Sequence, residues 1–396
     1  MRTARQVATR FDGIDILRGI SILAVVVHHT FLRLRAGHVG LEPMASSPWA
    51  HLLFWNGNPG VTVFFAVSGF LITFTSIRRF GALGKVSPRV FYRFRFARIA
   101  PLLLALLVVL SILDLLHTPV FTINSQRTNL PRALFAALTF HLNWLEAVRG
   151  YLPPSWDVLW SLSVEEMFYL FFPLVCLALL RFLRGQGLFV ALLIGFFILG
   201  PFARTSWAFN EIWKDDSYLG GMDAIALGCL TAMLVHALRS RRQHLSRLML
   251  VSIQLSGAGL LLLIGIAPHW DWMRPLGDLG LVGTLLAIGT CMVMAATVLR
   301  GIQGSRWTAP IRWFGRHSYE VYLTHEFVVI WTVLLYVRWQ HGPLPLWFAA
   351  ILILSAALGA LIARYFTEPL NARLRSNPQH AILSRAQEPE PIPVLK

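Results

Sequence analysis

Two residues that rarely sit in lipid share the first apolar stretch. Arg18 is followed by ten residues and then His29, in a segment that opens Asp15-Ile-Leu-Arg18-Gly19 and closes His28-His29-Thr30. At about 100° and 1.5 Å per helical residue, the two side chains lie roughly 20° apart around the helix and about 16 Å apart along it. His28 points some 80° away from that face. One helix would therefore present a guanidinium, which can grip a phosphate, and, deeper in the bilayer, an imidazole, which can take a proton near neutral pH. The plainer reading has Arg18 reaching the membrane surface beside Asp15 while His29 serves packing.

Three further constellations carry ionisable or hydroxyl groups into apolar stretches, where each is costly and so a functional candidate. Trp160-Ser-Leu-Ser163-Val-Glu165-Glu166-Met-Phe-Tyr169 sets two adjacent carboxylates inside a span. They can tune an imidazole, orient a hydroxyl or hold protons. Ser318-Tyr319-Glu320-Val-Tyr322-Leu-Thr-His325-Glu326 places Ser318, Tyr322 and His325 within about 60° on one helical face. That stripe suits a site, or a network that locks helices together. Arg95 and Arg98, i,i+3 neighbours if helical, make a cationic pair for a phosphate group or for lipid headgroups. Asp223 and Glu368 are weaker candidates, the latter able to pair with Arg364 at i,i+4.

The elements that must position these groups are membrane helices. The chain has 396 residues, 56% of them hydrophobic and only 14% charged, against ~25% charged in soluble domains. Disorder, collagen and a small disulfide scaffold are excluded. Ten stretches can be placed as bilayer-crossing spans, the fifth rather short: residues 14–31, 61–77, 99–116, 159–180, 188–202, 222–238, 248–266, 279–299, 319–337 and 346–362. Residues 133–142 are apolar but too short to cross, and read as interfacial or re-entrant. The net charge of +16 could mean nucleic acid only if the bases clustered on a soluble face. With both termini in the cytoplasm they instead divide 25 to nine in favour of the cytoplasmic segments, as the positive-inside rule expects.

The first span carries Arg18 and two histidines with no small-residue cleavage site after it, unlike a signal peptide. The polar tail, taken as residues 371–396 beyond a membrane domain of residues 1–370, reads as a disordered cytoplasmic extension. No nucleotide-binding glycine loop and no HExxH is present, and adjacent His28 and His29 diverge too far to chelate one metal. Cys176, Cys229 and Cys291 lie in apolar stretches without a CxxC pair. No bound metal or cofactor is expected.

In this order the segments resemble the acyltransferase-3 family of integral-membrane O-acyltransferases. Arg18 and His29 match its arginine–histidine motif. The stretch Gly60-Val-Thr-Val-Phe-Phe-Ala-Val-Ser68-Gly69-Phe-Leu-Ile-Thr73 is similar to its second-helix signature, and Arg95–Arg98 to its paired arginines. Trp160 to Tyr169 and Ser318 to His325 resemble two later signatures. Departures are Ile16 where the family usually has glycine, Met167 where glutamine is common, and Gly221-Met-Asp223 without an arginine two residues before the aspartate. No fused extracytoplasmic hydrolase-like domain is expected.

The resemblance implies an all-α, multi-pass protein of a bacterial membrane. It would transfer an acyl group, often acetyl, from cytoplasmic acyl-CoA as co-substrate to a hydroxyl. The acceptor would be a cell-surface or exported carbohydrate or lipid-linked glycan, or alternatively a small natural product such as a macrolide. His29 would be the general base, with Glu166 or Glu165 orienting it. Arg18, Arg95, Arg98, Ser68, Tyr322 and His325 would bind donor or acceptor. A proton-coupled transporter using His29, Glu165, Glu166 and His325 as a relay is the rival, though repeated halves with broken helices are not visible. A scaffold in a polysaccharide-export complex would leave the buried carboxylates without a role.

Overall fold

The computed structural model describes residues 11–41, 47–241, 245–267 and 271–375. Among them are ten helices long and apolar enough to cross a membrane. They are α1 (Asp12–Ala36), α2 (Gly57–Phe80), α3 (Pro88–Leu115), α4 (Leu159–Val175), α5 (Gln186–Ala203), α6 (Tyr218–Ser240), α7 (Arg247–Ile266), α8 (Leu281–Arg300), α9 (Ser318–Trp339) and α10 (Leu344–Ile362). No strand occurs among the described residues. Every expected span falls on one of these helices. The largest difference is α3, which begins at Pro88 rather than near Ile99. Proline at a first helical position loses no hydrogen bond, and the basic run from Arg89 to Arg98 winds as helix despite its low hydropathy.

Burial sorts the helices into centre and rim. The most apolar stretch of α2 is 72% buried, whereas those of α5, α7 and α10 are 22% buried. The latter three turn most of their surface to lipid, so their apolar residues need no partner within the chain. At the centre, small residues bring backbones into contact. A Cβ on Gly69 of α2 would lie 1.9 Å from the Ile225 carbonyl oxygen, and one on Gly228 of α6 would lie 2.1 Å from that of Ala66. The α2–α6 crossing therefore has a glycine on each side. The same device holds α1 against the short amphipathic helix Ala309–Arg316. A Cβ on Gly19 would meet the Ile311 oxygen at 2.0 Å, and one on Gly315 the Asp15 oxygen at 1.8 Å.

α1 and α9 run parallel. Arg18 meets Ser318 near the start of both, and His29 meets His325 further along. α2 is antiparallel to α1, with Gly57 beneath His28 and Phe70 and Phe74 against Phe11. The end where α1 finishes is called here the histidine end, and the opposite end the arginine end. Short helices Leu130–Leu138, Leu142–Arg149, Pro154–Asp157 and Glu211–Asp216 join the long ones at the histidine end. The stretch 133–142 is thus two helices, broken where Phe140 takes a φ of 58°.

Arg204 and Asp223, at the junction of α5, α6 and α8, form a buried two-pronged pair at 3.1 and 2.7 Å. Thr284 donates to the same carboxylate at 2.6 Å. Asp223 is thereby a helix-joining residue, and Arg204, just past the end of α5, is its counter-charge. The expected tail boundary also moves: Glu368–Arg375 is helical and packs against α3, where Arg93 donates to the Arg375 carbonyl at 3.2 Å. The rest of the tail, residues 376–396, lies outside the described residues.

Candidate active site

At the histidine end the hydrogen bonds fix how the imidazoles are protonated. His325 is fully buried, and its Nδ1 lies 2.7 Å from the Tyr322 carbonyl and 3.2 Å from that of Val321. A carbonyl only accepts, so this Nδ1 carries the hydrogen and Nε2 holds a lone pair in the neutral ring. His29 Nδ1 sits 2.8 Å from that Nε2 and 2.9 Å from Glu326 Oε1. Facing two acceptors, it too must carry a hydrogen. The remaining nitrogen, His29 Nε2, is then the basic one. Glu326 is 1% exposed and has its other oxygen 3.7 Å from Arg33 Nε. The carboxylate is held between a guanidinium and the ring it would stabilise as an imidazolium.

The acidic partner of His29 is therefore Glu326, and neither Glu165 nor Glu166. Ser68 donates to Glu165 at 2.5 Å. Glu166 pairs with Arg95 at 3.3 Å, and the Arg95 guanidinium also stacks 3.5 Å from the Tyr169 ring centre. Asp157 adds a further carboxylate that interacts electrostatically with His29, Arg33 and Glu326. Beside it, outside the membrane spans, Glu146 accepts from Leu152 N–H at 3.0 Å. Burial, reinforced by Asp157, pushes the Glu146 carboxyl well above the usual carboxylate range.

His29, His325 and Glu326 bring three potential metal-ligand atoms within 4.8 Å of one another. Their spacing fits a hydrogen-bond chain better than a metal. The two nitrogens stand 2.8 Å apart, whereas bonds of about 2.0–2.1 Å in a tetrahedral zinc site would hold them at roughly 3.3 Å. Arg33 at 3.7 Å from Glu326 further disfavours a second cation beside it.

From the arginine end a cavity of about 590 Å³ enters the bundle. Its lining includes Arg18, Arg78, Arg95, Arg98, Arg316 and Arg375, together with the carboxylates Asp15, Glu165 and Glu368. Arg18 donates to Ser318 at 2.7 Å, and Arg98 lies 3.7 Å from Glu320. Thr367 also donates to Glu320, at 2.9 Å, tying the start of α9 to the turn Ala363–Thr367 that follows α10. Glu368 lines this cavity. Such a concentration of guanidinium groups suits a polyanionic ligand.

The cavity's lining extends to Val61, Ser161 and Tyr322, and His29 is not part of it. Arg18 and His29 thus share a helix face without sharing this cavity. Tyr322 stands between them. Its hydroxyl is hydrogen-bonded to that of Ser161 at 2.7 Å, and its carbonyl holds His325. Of the expected residues, Arg18, Ser68, Arg95, Arg98, Glu165 and Tyr322 meet at the cavity, His29 and His325 meet beyond it, and Glu166 backs Arg95. Arg33 and Asp157 escaped the sequence reading, and Glu326 stood in the quoted stretch without a role. Glu326 lies 100° around α9 from His325, off the polar stripe, and only the α1–α9 pairing reveals its role.

A family model described as an acyltransferase domain matches residues 11–364, from the start of α1 past the end of α10. The chain belongs to the acyltransferase-3 family. Its relatives include O-acetyltransferase OatA of Staphylococcus aureus (strain NCTC 8325 / PS 47), 25% identical over 380 residues, covering 90% of this chain and 56% of that protein. Peptidoglycan O-acetyltransferase OatA of Listeria monocytogenes is 23% identical over 356 residues, covering 84% of this chain and 51% of that protein. The chain thus spans about half the length of the curated relatives it matches. No solved structure matches it. Ten membrane-length helices and relatives named as bacterial O-acetyltransferases identify a multi-pass protein of a bacterial cell membrane.

Proposed function

We propose that this protein is a membrane-embedded O-acyltransferase that carries an acyl group, acetyl in the first instance, from acyl-CoA to a hydroxyl of a cell-surface or exported carbohydrate. The observation that carries the reading is the His29 tautomer. His325 Nε2 accepts from Nδ1, and the Glu326 carboxylate lies 2.9 Å from the same nitrogen, which leaves Nε2 as a base; a guanidinium-lined cavity approaches from the opposite end of the bundle. The arginine end faces the cytoplasm in this reading, in keeping with the excess of basic residues on that side. The names of the relatives favour acetyl as the group and a cell-wall glycan as the acceptor.

In the reaction the CoA phosphates sit among the arginines at the cavity mouth, and the pantetheine arm carries the thioester inward. His29 Nε2 takes the proton of the acceptor hydroxyl as its oxygen attacks the thioester carbon. The C–S bond breaks, the new C–O bond remains, and the imidazolium returns the proton to the departing thiolate. Glu326 stabilises that imidazolium. For the thioester to meet the acceptor, the Tyr322–Ser161 hydroxyl pair must part.

Sealed membrane vesicles test donor, acceptor and orientation together. Labelled acetyl-CoA supplied to inside-out vesicles should label glycan enclosed in the lumen, with none from right-side-out vesicles. Labelling of lipid or protein with no glycan product would overturn the acceptor assignment. Uptake of an unmodified substrate without any acyl donor would replace the whole reading with transport.

A further inference from the structure

The cavity changes character along its depth. α2 contributes lining residues from Arg78 to Val61, which at about 1.5 Å per residue spans roughly 26 Å. Of the charged lining groups, Glu165 is held by Ser68, and the Arg18 guanidinium is held by Ser318, one turn to the arginine-end side of Tyr322. Beyond that level the walls are Val61, Phe64, Phe65, Ser161, Leu162 and Tyr322. The two hydroxyls among them are bonded to each other at 2.7 Å. A polar ligand would find little there to replace its lost water, whereas a hydrocarbon chain is matched.

Three of these walls are fixed. Val61, Phe65 and Leu162 are buried, with Phe65 edge-on to Trp160 at 6.1 Å. Phe64 differs: it is half-buried, lines the cavity, and meets the Tyr322 ring edge-on at 6.3 Å. It narrows the uncharged end one turn before Val61, together with the tyrosine that separates this cavity from His29.

We infer that the uncharged end of the cavity is the pocket for the acyl chain, and that Phe64 sets the longest chain the protein accepts. This rests on the acyl-CoA reading above and goes beyond it by naming what selects the acyl group. Shortening Phe64 deepens the pocket, and enlarging Val61 on the same helix face shallows it. One methylene gained or lost in such a pocket changes binding by about tenfold or more.

The test is a binding series on the purified full chain, in which unlabelled CoA, acetyl-CoA, butyryl-CoA and hexanoyl-CoA each displace labelled CoA. For Phe64→Ala, the affinity for hexanoyl-CoA relative to acetyl-CoA should rise about tenfold or more, with CoA itself unchanged. For Val61→Phe, the preference should move towards acetyl-CoA. Phe64→Leu serves as the milder variant should Phe64→Ala fail to fold. If CoA binds and the chain-length profile is the same in wild type, Phe64→Leu and Val61→Phe, the inference is overturned while the donor reading stands. If wild type binds neither CoA nor any acyl-CoA, the donor reading falls and the inference with it.

Discussion

The side chain that decides the chemistry is one whose partner cannot be read from neighbouring sequence. His29 Nε2 is basic because the Nδ1 hydrogen faces α9, bonded to His325 with the Glu326 carboxylate beside it. Glu326→Gln removes the charge that would stabilise the imidazolium and should lower the acyl-transfer rate by about 10²-fold or more, read as kcat in a labelled-acyl assay. Equal losses in Glu326→Gln and Glu165→Gln would argue that both acids act through the fold rather than on the imidazole. Arg98 belongs to the other end of the reaction. Arg98→Ala should raise KM for acyl-CoA by about tenfold or more, since a hydrogen bond to a charged group contributes about 1.5–3 kcal/mol, and should leave kcat close to wild type. A fall in kcat at constant KM would move Arg98 out of donor binding.

At the scale of helices, periodicity conveyed much of the site. The offset between Arg18 and His29, and the stripe of Ser318, Tyr322 and His325, both followed from 100° per residue, and all five side chains turn inward. What periodicity cannot supply is which helix stands opposite. Two adjacent carboxylates on α4 looked like partners for an imidazole, yet α4 faces α2 and α3 and spends them on Ser68 and Arg95. The partner of Asp223 was equally hidden, because Arg204 comes from the end of the preceding membrane helix, across a connecting loop. Hydropathy likewise lost the first turns of α3, where arginines mask a helix that continues to Pro88.

Two substitutions test the helix packing. Gly228→Ala would drive a methyl to 2.1 Å from the Ala66 oxygen and should destabilise the bundle by at least about 1–3 kcal/mol. Gly259→Ala on α7 meets nothing within 4 Å and should be neutral or gain up to about 1 kcal/mol in helix propensity. Thermal unfolding in detergent separates them. Asp223→Ala leaves Arg204 buried without its carboxylate and should cost about 3–5 kcal/mol. Equal thermal midpoints for Asp223→Ala and wild type would mean that the pair does not hold α5, α6 and α8 together.

The whole molecule is a bundle with a cationic cavity at one end and an imidazole–carboxylate chain at the other, joined through Tyr322. Its histidine end also carries a stability cost. Glu146 has its proton affinity raised by burial and by Asp157, so the folded state binds a proton that the unfolded chain releases at lower pH. Stability from this group is full below the ordinary carboxyl range and is lost as pH rises towards the elevated folded value. The thermal midpoint should therefore fall with rising pH above that range, and Glu146→Gln should flatten the slope. A slope unchanged by Glu146→Gln would place its origin elsewhere.

The most direct test of the account is acyl transfer from labelled acyl-CoA to isolated cell-wall glycan by purified His29→Ala, with CoA binding measured on the same preparation. The account predicts transfer reduced by about 10²–10⁴-fold with CoA affinity retained. Full transfer by His29→Ala would contradict it.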